Sequence, residues 1–245
     1  MPRKRFGQHF LIDDELIDCI HQLISPKPAD QVLEIGPGRG ALTNGLVASG
    51  ADVMVVEIDN DLAADLRTRY SAVKVVACDA LKVPDEIFRQ KRVVGNLPYG
   101  ISTALLLRLV TISEIIDMHF MLQSEVVDRL VATPGTKDWG RLSVKTQQSW
   151  KVHRCLDAEP NAFWPEPQVN SSFVRIEPIV EPKFVKNQIA FDEVLRRAFG
   201  QRRKKISNSL ESLNIEWEQT GIDASLRADQ LSVEQYVAIA NSLNE

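Results

Sequence analysis

The tetrapeptide Asn96-Leu97-Pro98-Tyr99 is the segment whose residue types are best suited to chemistry on an exocyclic amine, such as N6 of adenine. The side-chain oxygen of Asn96 and a backbone carbonyl of Leu97 or Pro98 can accept the two amine protons, which holds the nitrogen toward tetrahedral geometry. Pro98 stiffens the loop, and the ring of Tyr99 can stack on a base that has been flipped out. We expect catalysis here by positioning and desolvation, without a strong base.

A glycine-rich turn, Gly36-Pro37-Gly38-Arg39-Gly40, follows an apolar run and opens a predicted helix. Glycines let the backbone turn tightly and approach a ligand closely, although such a turn alone is also typical of a dinucleotide site or of simple loop geometry. Here an acid, Glu34, precedes the first glycine, so the spacing differs from the GxGxxG dinucleotide pattern.

Two further acids stand at the ends of predicted strands. Glu57 ends the second strand, where a carboxylate can accept hydrogen bonds from both hydroxyls of a ribose. Asp79 follows the third strand, where a carboxylate can accept from the amino group of a bound adenine. Ligands of open α/β sheets lie at the carboxyl ends of strands, so Gly36, Glu57 and Asp79 together predict a site for an adenosine-type ligand.

The remaining candidates are aromatic or histidine residues. Phe163 lies in a proline-rich loop, where it either closes on the second face of the target base or anchors the loop in the core. His9 has no paired carboxylate in view, which is more typical of a structural or backbone contact than of a general base. The four histidines and three cysteines lack the spacing of metal ligands, so we predict no metal site.

Short apolar runs alternate with helical patterns over the first two thirds of the chain, which predicts a parallel sheet covered by helices on both faces. The predicted strands are 32–35, 53–57, 73–77, 92–94 and 115–122, followed by the two extended runs 150–156 and 172–176, which are joined through the proline loop as an edge hairpin. The predicted helices are 13–24, 42–48, 62–70 and 102–111.

After Pro178 and Pro182 only helical periodicity continues, over 191–199, 206–213 and 233–243. We therefore predict an α/β domain over residues 1–180 and a small helical domain over residues 181–245.

The net charge of −4 and the pI near 5.7 argue against a protein that is basic over its whole surface. The basic residues are nevertheless concentrated, because residues 183–206 contain eight basic residues against two acidic ones. The candidates for contact with RNA phosphates are Arg196, Arg197, Arg202, Arg203, Lys204 and Lys205, with Arg3, Lys4 and Arg5 at the other end of the chain. No run reaches the roughly 18 apolar residues of a membrane span, so we expect a cytoplasmic protein. We also expect a monomer, because the exposed features indicate an RNA surface and not a self-complementary apolar patch.

Assembled in order, these motifs resemble those of the KsgA/RsmA family of ribosomal RNA adenine dimethyltransferases along nearly the whole chain. The resemblance is carried by Arg5 to Leu11, Gly36-Pro37-Gly38 with Leu42-Thr43, Glu57-Ile58-Asp59, Asp79-Ala80-Leu81, Asn96 to Tyr99, Gln123 to Val126, Phe163 to Val169 and Phe199 to Lys205.

The resemblance implies a Rossmann-like class I methyltransferase domain that uses S-adenosylmethionine, with a small all-helical C-terminal domain that contacts ribosomal RNA. The implied reaction is dimethylation of two adjacent adenosines in a hairpin loop near the 3′ end of 16S rRNA, within the small subunit or its precursor. His9, Leu11, Gly36, Glu57, Asp79 and Asn96 would contact the cofactor, and Asn96, Leu97, Pro98, Tyr99 and Phe163 would hold the adenine. One departure is His9, because the family commonly has Asn there.

Four other functions remain as alternatives. A large-subunit methyltransferase of the antibiotic-resistance type shares the chemistry, as does a DNA adenine methyltransferase with an added sequence-reading domain. A non-catalytic ribosome-assembly factor would not need the intact Glu57, Asp79 and Asn96. A dehydrogenase would need a nicotinamide site and a partner residue for hydride transfer.

Overall fold

The computed structural model describes residues 8–243, and it divides the chain into two compact units. Of the described residues, the first unit contains 8–127 together with Val152–Glu177, and the second contains Asp128–Lys151 and 178–243. The C-terminal segment of the second unit starts at Pro178, near the predicted boundary at residue 180. The unit also contains Asp128–Lys151, which the sequence assigned to the first domain.

Between residues 13 and 123 the helices and strands follow the predicted alternation closely, whereas the helices at 124–131, 141–147 and 217–220 were not predicted. The strands are β1 (Phe10–Leu11), β2 (Gln31–Ile35), β3 (Asp52–Glu57), β4 (Lys74–Ala77), β5 (Arg92–Asn96), β6 (Asp117–Gln123), β7 (Trp150–Ala158), β8 (Phe163–Trp164) and β9 (Ser171–Pro178). The helices are α1 (Asp14–Ile24), α2 (Thr43–Ala48), α3 (Asn60–Arg69), α4 (Ser102–Leu109), α5 (Ser124–Val131), α6 (Arg141–Gln147), α7 (Gln188–Gly200), α8 (Ile206–Ser209), α9 (Trp217–Thr220) and α10 (Val233–Ser242). None of these helices is long and apolar enough to cross a membrane.

Seven strands form one sheet in the order β4-β3-β2-β5-β6-β9-β7. The five strands from β2 to β6 run parallel, and β9 joins β6 antiparallel, with Phe120 opposite Val174. Strand β6 is buried along almost its whole length, as expected for a strand covered on both faces. The sheet is therefore the predicted Rossmann-like arrangement, with its antiparallel hairpin at one edge.

Helix α1 shows how local sequence sets the element ends. The Asp13 side chain accepts from the backbone N–H of Leu16 at 3.0 Å, which caps the first turn. Ile20 and Ile24 face the core, and Ser25 ends the helix in the left-handed conformation. The helix thus packs its apolar stripe into the cluster that also holds Val32, from β2.

Strands β1 and β8 form a separate two-stranded ribbon, which was not predicted from the sequence. Leu11 is paired with Phe163 and Phe10 with Trp164, antiparallel. This pairing joins segments more than 150 residues apart, so it leaves no local periodicity in the sequence.

The second unit has a helical core of its own, which includes Trp139, Phe191 and Ile206. The indole nitrogen of Trp139 donates to the carbonyl of Leu231 at 3.0 Å, and the hydroxyl of Tyr236 donates to the carbonyl of Ala228 at 2.6 Å. Trp139 belongs to the Asp128–Lys151 segment, and its burial explains why that segment folds with the C-terminal helices.

Candidate active site

A cavity of about 450 Å³ lies at the carboxyl ends of β2, β3 and β5 in the first unit. The structure brings nearly all the predicted cofactor and adenine residues into its wall, namely His9, Leu11, Gly36, Glu57, Asp79, Asn96, Leu97, Pro98 and Tyr99. The volume is within the range of small-molecule sites. A parallel sheet explains the grouping, because the strand ends that carry these residues all meet at one edge.

The glycine turn approaches the β1–β8 ribbon closely. A Cβ atom on Gly38 would lie 2.9 Å from the ring of Phe10, and Gly38 also has a positive φ of 56°. Both the space and the backbone conformation therefore require glycine at this position.

Glu57 supports the glycine turn as well as lining the cavity. One carboxylate oxygen accepts from the Gly38 N–H at 3.1 Å and the other from the Asp59 N–H at 2.9 Å. Burial raises the pKa of Glu57, and the hydrogen bonds from Asp59 and Gly38 oppose that shift. Each oxygen keeps a second lone pair, so the carboxylate can still accept from the hydroxyls of a ribose.

Glu34 lines the same cavity, although it was not among the predicted site residues. Its carboxylate is fully buried and accepts from the Thr43 hydroxyl at 2.6 Å. Burial raises the pKa of Glu34 to about 7, although the Thr43 hydrogen bond opposes the shift. The position of this acid, just before the first glycine, was the sequence signal that could have identified it.

Asp79 is half-buried, and its Oδ1 accepts from the Leu81 N–H at 3.0 Å. This contact holds the carboxylate at the cavity wall through one oxygen and leaves the second oxygen able to accept from a ligand amino group.

The Asn96 amide is oriented by the N-terminal segment. Its Nδ2 donates to the backbone carbonyl of His9 at 2.8 Å. Within residues 8–243, Asn96 Oδ1 has no hydrogen-bond partner, so it remains available as an acceptor. In the same loop the Pro98 carbonyl accepts from Ile101 N–H at 3.1 Å, which favours the carbonyl of Leu97 as the second acceptor for an amine.

Tyr99 is held at its hydroxyl and on one face of its ring. The hydroxyl lies 2.8 Å from Oγ of the buried Ser171, and the His9 ring stacks on Tyr99 with centroids 5.2 Å apart at 24°. Burial raises the pKa of Tyr99, and the hydrogen bond with Ser171 opposes that shift. Tyr99 is thus a neutral, fixed aromatic surface beside Asn96.

His9 uses both its side chain and its backbone in contacts within the protein. Its Nδ1 lies 2.6 Å from the carbonyl oxygen of Pro165, and because a carbonyl only accepts, Nδ1 carries the proton. The side chain thereby connects the proline loop to Tyr99, while the backbone carbonyl orients Asn96.

Phe163 does not line the cavity within the described structure. Its side chain is 1% exposed and packs in the core cluster of the first unit, where it is paired with Leu11. Of the two roles left open for Phe163, the structure therefore supports the core anchor. The role implied by the resemblance, in which Phe163 holds the target adenine, is corrected.

The predicted basic cluster of the second unit divides into paired and unpaired cations. Arg196 lies 2.7 Å from Glu193, Arg197 contacts the same carboxylate, and Arg202 lies 3.5 Å from Asp229. In contrast, three exposed cations have no ion pair within residues 8–243, namely Arg203, Lys204 and Lys205. The other predicted cluster, Arg3, Lys4 and Arg5, lies outside the described residues.

Comparison with known proteins shows one family. The family model described as ribosomal RNA adenine dimethylase matches residues 2–245. A ribosomal RNA small subunit methyltransferase A of Pseudomonas syringae pv. tomato is 45% identical, covering 99% of this chain and 95% of its own. The protein of the same name from Bordetella avium is 43% identical, covering 98% and 95%.

Two solved structures have the same fold. A dimethyladenosine transferase from Plasmodium falciparum superposes with a TM-score of 0.80 at 24% identity, covering 94% of this chain and 96% of its own. The 23S rRNA methyltransferase ErmE superposes with a TM-score of 0.70 at 25% identity, covering 96% and 100%. Because the family model matches residues 2–245, nearly the whole chain, this protein belongs to the ribosomal RNA adenine dimethylase family. Members of this family transfer methyl groups from S-adenosylmethionine to adenine.

Proposed function

We propose that this enzyme dimethylates N6 of two adjacent adenosines in a hairpin loop near the 3′ end of 16S rRNA, within the small ribosomal subunit or its precursor. The observation that carries the proposal is the Asn96 amide, whose Nδ2 is bonded to His9 while Oδ1 remains open beside Tyr99. The names of the relatives, which specify the small subunit, support this substrate over large-subunit RNA.

The cavity residues fit the cofactor. Gly36 and Gly38 would let the backbone approach the ligand closely. Glu57 would accept hydrogen bonds from the ribose hydroxyls, and Asp79 would accept one from the adenine amino group. His9 and Leu11 would close the cavity from β1 and the residues just before it. S-adenosylmethionine supplies a methyl group on a positively charged sulfur, which makes the methyl carbon electrophilic.

The chain itself contributes orientation of the nucleophile. Asn96 Oδ1 and the carbonyl oxygen of Leu97 would each accept a hydrogen bond from the N6 amino group. These two hydrogen bonds would turn the nitrogen lone pair out of conjugation with the ring. Tyr99 holds the base by stacking, worth roughly 1–3 kcal/mol. As the bond from N6 to the methyl carbon forms, the bond from that carbon to sulfur breaks and S-adenosylhomocysteine leaves. N6 is then acidic and releases one proton to water, so no strong base is required. After the first transfer one N6 proton remains, and either acceptor can hold it for the second.

We propose that the second unit contacts RNA phosphates through Arg203, Lys204 and Lys205. These cations are exposed and form no ion pair with a carboxylate within the described residues, whereas Arg196, Arg197 and Arg202 are already paired. Phosphate contacts position an RNA without reading its sequence. The same proposal includes a cytoplasmic location, because the substrate is the ribosomal subunit, and a monomeric enzyme.

The test is methyl transfer from labelled S-adenosylmethionine to small subunits from cells that lack the endogenous enzyme. We expect dimethyladenosine near the 3′ end of 16S rRNA. Transfer to large-subunit RNA instead would favour the antibiotic-resistance type of enzyme. Cofactor binding without transfer to either RNA would favour a non-catalytic assembly factor.

A further inference from the structure

Trp164 exposes an indole next to two residues of the cavity wall, its strand partner Phe10 and Arg39. Its side chain is 43% exposed, while its neighbour Phe163 in β8 is 1% exposed. Two other tryptophans, Trp139 and Trp150, are buried. Tryptophan is enriched at binding interfaces, and an exposed indole offers a flat surface on which a nucleic-acid base can stack.

One face of the indole is covered by an exposed cation, Arg39. The guanidinium carbon of Arg39 lies 5.0 Å from the Trp164 ring centroid and 4.9 Å from that of Phe10. Arg39 belongs to the glycine turn, and Phe10 is the strand partner of Trp164. The strand pairing and this cation therefore hold the indole in place, and the exposed part of its ring is available to a partner.

The backbone that follows Trp164 is connected to the place where the target adenine would stack. Pro165, the next residue, accepts from His9 at its carbonyl oxygen, 2.6 Å from Nδ1. The His9 ring in turn stacks on Tyr99, with 5.2 Å between centroids. The His9 side chain alone thus separates the Trp164–Pro165 peptide from Tyr99, on which the adenine is proposed to stack. A neighbouring nucleotide of the same RNA can span this gap.

We propose that Trp164 is a stacking platform for the base of a nucleotide that flanks the target adenosine. The inference rests on the proposed function, since it takes single-stranded RNA as the ligand. Base–aromatic stacking tolerates any base, and flanking nucleotides are commonly held by enzymes that act on flipped bases. Arg39 strengthens the platform because its charge lies under the ring and attracts the phosphate backbone.

The first test compares Trp164→Ala and Trp164→Phe with wild-type enzyme in methylation of small subunits. We expect Trp164→Ala to raise KM for the RNA substrate about fivefold or more, with kcat and S-adenosylmethionine affinity little changed. Trp164→Phe should recover most of the loss, because a phenyl ring still stacks. Ile116→Ala is the matched control, since Ile116 is 50% exposed at the amino end of β6, away from the cavity, and should leave KM unchanged.

The second test is tryptophan fluorescence during titration with a short RNA that contains the target loop. We expect RNA to quench the wild-type emission and to quench Trp164→Phe much less. Unchanged KM in Trp164→Ala, or equal quenching in both proteins, would overturn the inference. Weakened S-adenosylmethionine binding with unchanged RNA KM would also overturn it, since Trp164 would then only clamp the glycine turn through Arg39. If the wild-type protein transferred no methyl group, the proposed function would fail, yet the titration would still decide whether Trp164 meets RNA.

Discussion

The side-chain nitrogen of Asn96 lies 2.8 Å from the backbone carbonyl of His9, so the N-terminal segment determines how the catalytic amide is turned. Because a carbonyl can only accept, this contact assigns Nδ2 to His9 and leaves Oδ1 as the acceptor for the substrate amine. The protein's own backbone sets this orientation, which is the kind of preorganisation that positioning catalysis requires.

Replacement of Asn96 by Ala should lower kcat by about 100-fold, by analogy with the loss of one preorganised hydrogen-bonding group in other active sites. Cofactor binding should weaken much less, because Gly38, Glu57 and Asp79 keep their places. Single-turnover methylation together with calorimetric titration of S-adenosylmethionine measures both quantities. A variant that kept wild-type kcat would contradict the assigned role of Oδ1.

The hydroxyl of Tyr99 and that of Ser171 should act as one unit. Tyr99→Phe and Ser171→Ala each remove the 2.8 Å hydrogen bond, and each should reduce kcat/KM about fivefold. The double variant should lose little more than either single one, because the second change removes nothing further. Tyr99→Ala, which also removes the stacking surface, should be clearly worse. Additive losses in the double variant would mean that the two hydroxyls act separately.

The salt dependence of RNA binding should distinguish free from paired cations in the second unit. Lys204→Ala should reduce the slope of log Kd against log salt by about one, as expected for one lost phosphate contact. Arg196→Ala is the control, because Arg196 is paired with Glu193 at 2.7 Å and should have little effect. Filter binding at several salt concentrations gives the slopes, and equal slopes for the two variants would argue against the assignment.

Glu34 should make the fold less stable as pH rises. Burial raises its folded-state pKa to about 7, above the unfolded value, so its contribution to stability is fully present at acidic pH and falls as pH rises toward 7. Glu34→Gln removes this titration and keeps an acceptor for Thr43.

At pH 8 Glu34→Gln should therefore be more stable than wild type by about 2 kcal/mol, with the difference shrinking toward pH 5. Urea unfolding of both proteins at several pH values is the measurement. A Gln variant that is less stable than wild type at pH 8 would show that the ionised carboxylate is itself stabilised in the fold.

Much of the fold and of the cavity wall was predictable from local sequence. The strands and helices between residues 13 and 123 appear within two residues of their predicted ends. The reason is that a buried parallel strand leaves an apolar run and an amphipathic helix leaves a 3.6-residue period, and both are read within a single element. Because parallel strands end at one edge, the order of the strands in the sequence was enough to group Gly36, Glu57, Asp79 and Asn96 at one site.

Tertiary structure alone decided the contacts between segments that lie far apart in sequence. The pairing of Leu11 with Phe163 places that phenyl ring in the core, and the contact of His9 with Pro165 joins residues 156 positions apart. The assignment of Asp128–Lys151 to the second unit depends in the same way on the burial of Trp139 among distant helices. Local periodicity records which face of an element is buried, but it carries no information about which distant segment buries it.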